Sequence, residues 1–268
     1  YLHTMVYGEF VQSPQVEYAE WLAGRLPESL DNVFFVNSGS EAIDGAMKLA
    51  KRCTGRGNFV AFEKAYHGGT HGALSILGDR KARSGYLPLL PGIKHLAFNS
   101  EDDLQLINEE VAAVILEPIQ AEAGIIEPEN EFLLKVSERC KQVGALMILD
   151  EIQTGLGRTG KFMAYEHYDV CPDILCLAKS FGGGMPLGAF ISSKDLMHNF
   201  TFDPPLGHIT TFGGHPVSCA AGLAAQKVVE EDKLMDRAVR METRYRDGLK
   251  HPVIKIIRGK GLFLDVVL

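Results

Sequence analysis

The sequence predicts an α/β fold in which a mostly parallel sheet is covered by helices on both faces. Short apolar segments alternate along the chain with longer segments whose apolar residues recur at helical spacing. This alternation is typical of βαβ units, whose strands are buried on both faces. With 268 residues and 46% hydrophobic content, the chain is long enough to bury a sizeable core.

The same pattern places the individual elements of the large domain. Helices are predicted at 15–26, 41–52 and 131–142, because apolar residues recur on one helical face there. Strands are predicted at 33–36, 59–62, 111–116, 145–149 and 174–177, which are short runs rich in Val, Ile, Leu and Phe. No internal repeat or low-complexity linker interrupts them, so the elements are expected to share one sheet.

The pattern changes from about Gly214 onward. Two helices are predicted at 216–230 and 233–249, followed by short strands at 253–257 and 262–268. We therefore predict a large domain over 1–228 and the beginning of a smaller C-terminal α+β domain over 229–268. The final strand is not followed by a closing turn or a polar tail, so both domains are expected to be truncated in this sequence.

Composition and charge exclude several classes of function. A net charge of −7 and a pI near 5.7 leave no basic stripe for nucleic acid. The sequence has neither a membrane-length apolar run nor a signal-peptide core. Its five cysteines show no metal-ligand spacing, so we expect reduced thiols, no metal site and a cytoplasmic location.

An acid and a lysine at the ends of two predicted strands are the leading candidates for catalysis. Asp150 follows strand 145–149, and Lys179 follows strand 174–177 and precedes three glycines. Chemistry in parallel α/β sheets gathers at such carboxyl ends. A partly buried lysine that forms a Schiff base and an acid that pairs with a pyridinium nitrogen are the groups required by pyridoxal phosphate. The alternatives are a solvated surface lysine and an aspartate that caps a helix.

The segment between strand 33–36 and helix 41–52 is a candidate phosphate site. Its sequence is Asn37-Ser38-Gly39-Ser40, and the amides of Gly39 and Ser40 would lie at a helix N-terminus, where a phosphate dianion is favoured. A plain helix cap by Ser38 or Ser40 explains the same residues nearly as well.

Five segments, taken in order, resemble the class III (omega-type) aminotransferases of the fold type I pyridoxal-phosphate enzymes. They are NSGSEA at 37–42, EPIQAE at 117–122, ILDEIQTGLGRTG at 148–160, LAKSFGGG at 177–184 and TTFGGHP at 210–216. Several motifs that match in order are far more specific than one motif alone. The branch that the sequence resembles contains the acetylornithine, ornithine and 4-aminobutyrate aminotransferases.

The resemblance implies a role for each of these motifs at a pyridoxal 5′-phosphate site. Lys179 and Asp150 would be catalytic, and Thr211 would reach the phosphate of the neighbouring subunit's cofactor in a homodimer with shared sites. The other implied cofactor-binding residues are Gly39 and Ser40 at the phosphate, Tyr66 stacked on the ring with His67 beside it, Ile152 on the opposite ring face, Gln153 at the phenolic oxygen, and Glu117 supporting the groups that face the ring. On the residues alone, Tyr66 is more simply a core aromatic, and Ile152 and Gln153 are ordinary loop residues.

Two further residues are implied to contact substrate. Glu122 matches the acid of the branch that uses glutamate and 2-oxoglutarate, where it pairs with an arginine that would lie beyond Leu268. Tyr7 falls where the family lines the substrate entrance. A surface glutamate and a core tyrosine are the simpler alternatives on the residues alone.

The implied activity is a ping-pong transamination through a Schiff base on Lys179. The donor would be a terminal amine, namely ornithine, N-acetylornithine, 4-aminobutyrate or lysine, and 2-oxoglutarate would be the acceptor. Two alternatives stay open, because fold alone does not fix function. One is another pyridoxal-phosphate reaction, such as that of an aminomutase, racemase or decarboxylase. The other is a non-catalytic binding module, against which the presence of Lys179 and Asp150 argues.

Overall fold

A seven-stranded sheet organises the chain in the computed structural model, which describes residues 11–268. Its strands are β1 (Asn32–Val36), β2 (Asn58–Phe62), β3 (Ile93–Leu96), β4 (Val111–Leu116), β5 (Leu146–Asp150), β6 (Ile174–Leu177) and β7 (Gly188–Ser192). The strand order is β1-β7-β6-β5-β4-β2-β3. Only β7 runs against its neighbours, β1 and β6, and the other pairs are parallel. The predicted mostly parallel α/β sheet is therefore confirmed.

Helices cover both faces of this sheet. They are α1 (Ser13–Ala23), α2 (Gly39–Thr54), α3 (His71–Ser75), α4 (Arg80–Ser84), α5 (Phe132–Val143), α6 (Lys194–Met197), α7 (Pro216–Glu231) and α8 (Leu234–Gly248). Residues of α2 belong to one buried core cluster, and residues of α1, α5 and α7 belong to the other. Alternate residues of β6 point into the two clusters, Leu175 into one and Cys176 into the other. The central strands are therefore buried on both faces.

Helix α2 carries the amides of the candidate phosphate site, and its position is set at both ends and in the middle. Ser38 caps the N-terminus by accepting a hydrogen bond from the Glu41 amide, and Gly55 ends the helix in the left-handed conformation at φ 68°. In the middle, a Cβ on Gly45 would lie 2.3 Å from the Phe190 ring. A glycine there lets the helix approach the sheet closely.

The C-terminal part comprises α8 and an antiparallel hairpin of β8 (Ile256–Lys260) and β9 (Phe263–Val267). Glu127 joins this hairpin to the loop after β4. Its carboxylate accepts a hydrogen bond from the Gly259 amide at 2.9 Å and pairs with Lys260 at 3.1 Å. The predicted domain boundary after residue 228 falls in the last turn of α7, and the division into two domains stays a prediction.

The structure contains five elements that were not predicted, namely strands β3 and β7 and the short helices α3, α4 and α6. Helix α1 spans Ser13–Ala23 where 15–26 was expected, and the strand expected from residue 253 begins at Ile256. The short β3 mixes exposed and buried positions, which weakens its apolar pattern. Strand β7 follows closely after a run of glycines that signals a loop. Within residues 11–268, no helix is both long and apolar enough to cross a bilayer.

Candidate active site

The carboxyl edge of the sheet borders a cleft of about 340 Å³, which is within the usual size of small-molecule sites. Strands β4, β5 and β6 end beside it, and the N-terminus of α2 closes another side. Ten residues predicted from the sequence line this cleft: Gly39, Ser40, Tyr66, His67, Glu117, Glu122, Asp150, Ile152, Gln153 and Lys179. The structure thus brings together residues from five separate parts of the sequence.

Lys179 begins the short 3₁₀ turn that follows β6, and it has a left-handed backbone with φ 52°. This conformation is uncommon for a residue with a Cβ, and it is found preferentially at functional sites. The next residue is held in place, because the Gln226 side-chain amide donates to the Ser180 carbonyl at 3.1 Å. Lys179 is exposed, so the expectation of a partly buried amine is wrong: the cleft opens to solvent where the lysine lies.

Asp150 and His67 form a buried pair at the floor of the cleft. His67 Nδ1 lies 2.8 Å from Asp150 Oδ2, and both side chains are almost completely buried. The Ile152 amide donates to Asp150 Oδ1 at 3.1 Å. Asp150 is the last residue of β5 rather than the first residue after it, and its side chain caps the following turn as well as facing the cleft.

Glu117 joins two loops that border the same cleft. One carboxylate oxygen accepts from the Tyr66 amide at 3.0 Å, and the other accepts from the Ala121 amide at 2.8 Å. Burial raises the pKa of Glu117 to about 7, the charge of His67 opposes that rise, and the charge of Asp150 adds to it. Glu117 therefore fixes the loop carrying Tyr66 relative to the loop carrying Glu122.

The protonation of His67 follows from the same cluster. Burial disfavours the charged imidazole, but the hydrogen bond to Asp150 and the negative charges of Asp150 and Glu117 outweigh burial and raise the pKa of His67. Its Nε2 atom is buried and has no hydrogen-bond partner among the described residues. The raised pKa of His67 thus depends on its two carboxylate neighbours, Asp150 and Glu117.

The N-terminal turn of α2 forms a narrow cradle. Ser38 is the cap, which leaves the amides of Gly39 and Ser40 in the first turn without intrahelical acceptors. The Gly69 amide donates to Ser40 Oγ at 3.0 Å. Gly68 has φ 131°, and a Cβ there would lie 2.2 Å from that oxygen. The backbone around Ser40 is therefore closely packed and presents N–H groups to an anion.

The structure does not decide the predicted roles of Glu122, Thr211 and Tyr7. Glu122 lines the cleft but is exposed, which is compatible with either a substrate contact or a surface side chain. Thr211 is exposed and is not one of the described residues that line the cleft. Tyr7 lies outside the described residues. The assigned functional roles of these and the other site residues stay predictions.

No role was predicted from the sequence for Glu151, the acid that follows Asp150. Glu151 is 1% exposed, and burial raises its pKa to about 7, opposed by hydrogen bonds from Thr154, Tyr165 and Ala164. The signal was the alternation of a strand, which directs neighbouring side chains to opposite sides. If Asp150 faces the cleft, Glu151 must face the protein.

Within residues 11–268, no three His, Cys, Asp or Glu side chains cluster so as to hold a metal ion.

Comparison with known proteins agrees with this geometry. The family model described as aminotransferase class-III matches residues 2–267. The chain is 42% identical over 260 residues to the acetylornithine aminotransferase of Methanopyrus kandleri, covering 96% of this chain and 66% of that protein. The ornithine aminotransferase of Toxoplasma gondii superposes with a TM-score of 0.86 at 33% identity, covering 96% of this chain and 62% of that one. The chain thus spans less than two thirds of the length of these two relatives.

A third relative was solved with the cofactor in place. The taurine:2-oxoglutarate aminotransferase of Bifidobacterium kashiwanohense, in complex with pyridoxal phosphate and glutamate, superposes with a TM-score of 0.89 at 30% identity, covering 99% of this chain and 67% of that one. The match to the family model extends over almost the whole sequence and includes every residue lining the cleft. The chain belongs to the class III aminotransferases, whose cofactor is pyridoxal phosphate.

Proposed function

We propose that the protein catalyses transamination between a terminal-amine donor and 2-oxoglutarate. The proposal rests chiefly on one observation: Lys179, the buried Asp150–His67 pair and the N-terminus of α2 face a single cleft at the carboxyl edge of the sheet. A lysine, an ionised acid and an anion site in this arrangement match the amine, pyridine nitrogen and phosphate chemistry of the cofactor.

The residues present fit pyridoxal phosphate. Gly39 and Gly68 leave space that a side chain would fill, since a Cβ on Gly39 would lie 2.8 Å from Ile152 and one on Gly68 would lie 2.2 Å from Ser40. The amides of Gly39 and Ser40 would hold the phosphate, Tyr66 and Ile152 would contact the ring, and Gln153 would reach the phenolic oxygen. When bound, the cofactor supplies an aldehyde for the amine and a ring that withdraws electrons from the reacting carbon.

Asp150 would hold a proton on the ring nitrogen. Its Oδ2 atom is bound to His67 and its Oδ1 atom accepts from the Ile152 amide, so the carboxylate is fixed in orientation. Hydrogen bonds to both oxygens compensate the cost of burying this carboxylate. The ring nitrogen of the bound cofactor would therefore face the fixed Asp150 carboxylate rather than water.

Lys179 would transfer the proton. Lys179 is exposed and lines the cleft, so its amine would be accessible both to the cofactor and to a substrate amine. As a free amine, Nζ would remove the proton from the substrate carbon that bears the nitrogen and would return it to the reacting carbon of the cofactor. One amine would serve as base and then as acid, because both carbons would lie within its reach.

Glu122 and the relatives support the substrate class. Glu122 is one of the residues lining the cleft, on the loop that Glu117 and Glu127 hold. The similar proteins include an acetylornithine and an ornithine aminotransferase, as well as one that uses 2-oxoglutarate. We propose ornithine, N-acetylornithine, 4-aminobutyrate or lysine as donor. Glu122 would release an arginine from a part of the protein outside this sequence when the five-carbon diacid binds.

A homodimer with shared sites is part of the proposal. Thr211 is exposed next to Phe212, and Leu206 and Ile209 nearby are also exposed, at 67% and 53%. Exposed apolar residues grouped in this way are typical of a protein interface. The test mixes equal amounts of inactive Lys179→Ala and Thr211→Val proteins and allows their subunits to exchange. If Thr211 completes the partner's site, about half of the dimers are mixed and each mixed dimer has one intact site of two. Activity should therefore return to at most a quarter of the wild-type value.

The direct test incubates the full chain, loaded with cofactor, with each donor and 2-oxoglutarate, and measures glutamate by mass spectrometry. One donor should produce glutamate at a rate that Lys179→Ala abolishes and Lys194→Ala, an exposed lysine on α6 away from the cleft, leaves unchanged. A donor that is isomerised, racemised or decarboxylated without glutamate formation would replace transamination with one of those reactions.

A further inference from the structure

Glu151 is a buried acid beside the active site that the proposed chemistry does not use. It follows Asp150 directly, is 1% exposed, and is not among the described residues that line the cleft. Burying a carboxylate costs free energy unless hydrogen bonds compensate. A neutral side chain could fill the same space at lower cost, so the contacts of this carboxylate need an explanation.

Both carboxylate oxygens of Glu151 accept hydrogen bonds from other parts of the chain. The Thr154 hydroxyl donates a short bond to Oε2, and the Tyr165 amide donates to Oε1 at 2.8 Å. The main chain adds two further bonds: the Glu151 amide donates to the Cys176 carbonyl on β6 at 3.0 Å, and the Gly155 amide donates to the Glu151 carbonyl at 3.0 Å. Glu151 is therefore fixed to β6, to the next turn and to the segment around Tyr165.

The turn that Glu151 holds carries three residues of the cleft. Ile152, Gln153 and Thr154 follow Glu151 directly, and all three line the cleft. From the opposite side, Asp150 accepts a hydrogen bond from the Ile152 amide at 3.1 Å. Two consecutive carboxylates thus accept hydrogen bonds from the same turn, Asp150 on the side of the cleft and Glu151 on the side of the protein interior.

We infer that Glu151 is a positioning residue that fixes the turn of residues 151–154, and with it Ile152 and Gln153, against the cofactor. The inference rests on the proposed function, because it assigns the cofactor to this cleft. Loss of the Glu151–Thr154 bond frees the turn to move away from the ring while Asp150 and Lys179 keep their places. Loss of this bond should therefore change the affinity and the environment of the bound cofactor more than the rate of proton transfer.

The test compares Glu151→Ala, Glu151→Gln and Thr154→Val with a matched control. Glu166 is the control, because its carboxylate accepts from the Met163 amide at 2.8 Å at the same short 3₁₀ helix that contains Tyr165, yet it has no hydrogen bond to the turn. The full chain of each variant is purified without cofactor. Thermal unfolding reports stability, fluorescence titration with pyridoxal phosphate reports affinity, and visible circular dichroism reports the asymmetry around the bound ring.

Glu151→Ala and Thr154→Val are expected to weaken cofactor binding about tenfold, the size of one lost charge-assisted hydrogen bond, and to alter the circular dichroism signal. Glu151→Gln keeps an acceptor for the Tyr165 amide, and its NH2 group can donate to the Thr154 hydroxyl, which then becomes the acceptor. This variant should stay within about threefold of wild type. Glu166→Ala should lower the unfolding temperature without changing the affinity.

The inference would be overturned if Thr154→Val, or a folded but less stable Glu151→Ala, bound the cofactor with wild-type affinity and dichroism. Glu151 would then contribute to the stability of the fold only. If Glu151→Ala does not fold, Thr154→Val is compared with Thr154→Ser, because Thr154 itself lines the cleft. Only a loss in the valine variant that the serine hydroxyl prevents is assigned to the bond with Glu151. Neither measurement requires turnover. A protein that binds the cofactor in this way but does not transaminate would refute the proposed function and leave the role of Glu151 intact.

Discussion

Replacing Gly39 with alanine separates the stability of the fold from the binding of the cofactor. Gly39 is the first residue of α2, and its φ is not in the left-handed region, so alanine suits the backbone. The added Cβ would lie 2.8 Å from Ile152 Cδ1 and 3.3 Å from its Cγ2. Carbon atoms normally pack at about 3.5–4.0 Å, so the Ile152 side chain must move into the cleft.

Two opposing contributions determine how Gly39→Ala changes the free energy of unfolding. Alanine in place of glycine in a helix gains at most about 1 kcal/mol, and overpacking costs about 1–3 kcal/mol. Without cofactor, Ile152 can rotate into the open cleft, so the free energy of unfolding should change by less than about 1 kcal/mol. With cofactor bound, that space is filled. The strain then appears as a loss of about 1.4 kcal/mol in binding, which is tenfold in Kd.

Fluorescence titration with pyridoxal phosphate and thermal unfolding measure the two terms separately. Ile152→Val removes Cδ1, the atom in closest conflict, so Gly39→Ala/Ile152→Val should bind within about threefold of Ile152→Val alone. Wild-type affinity in Gly39→Ala, or a loss that Ile152→Val does not relieve, would refute the placement of the cofactor between the first turn of α2 and Ile152.

Three further results are expected. Asp150→Asn should lower the rate of proton transfer far more than cofactor affinity, by about a hundredfold or more in single-turnover kinetics, and equal losses in both would contradict a role at the ring nitrogen. Gly68→Ala should destabilise the protein by about 1–3 kcal/mol in chemical denaturation, because its φ of 131° and the 2.2 Å approach to Ser40 both exclude a Cβ; wild-type stability would contradict this packing. The pKa of Glu117 is raised from 4.5 to about 7 in the folded protein, so its contribution to stability is full below about pH 4.5 and is lost as the pH rises to about 7. Glu117→Gln should therefore gain stability relative to wild type across that interval, and a pH-independent difference would show that Glu117 does not titrate there.

The sequence predicted the strands best where apolar runs are uninterrupted and end at polar residues. Strands β4 and β6 have the predicted bounds, and both are buried along their whole length. Their carboxyl ends place Glu117 and Lys179 at one edge, as the rule for parallel sheets requires. Strand β7 is also buried along its whole length, but it follows a glycine-rich segment that predicts a loop, so it was not predicted.

The interactions within the site could not be predicted from local pattern. His67 and Asp150 are 83 residues apart, and their contact exists only because β2 and β5 end at the same edge of the sheet. The two hydrogen bonds of Glu117 likewise depend on loop conformations that the residue types do not specify. The burial of Glu151 follows from strand alternation, but its partners, Thr154 and the Tyr165 amide, follow only from the folded chain.

Chemical trapping tests the central claim, that Lys179 is the residue to which pyridoxal phosphate attaches. The cofactor-loaded protein is reduced with borohydride and digested, and the peptide carrying the added cofactor mass is sequenced by mass spectrometry. The mass should be found on the peptide containing Lys179, and Lys179→Ala should leave no labelled peptide. Label on another lysine, or unchanged labelling in Lys179→Ala, would contradict the assignment of the site.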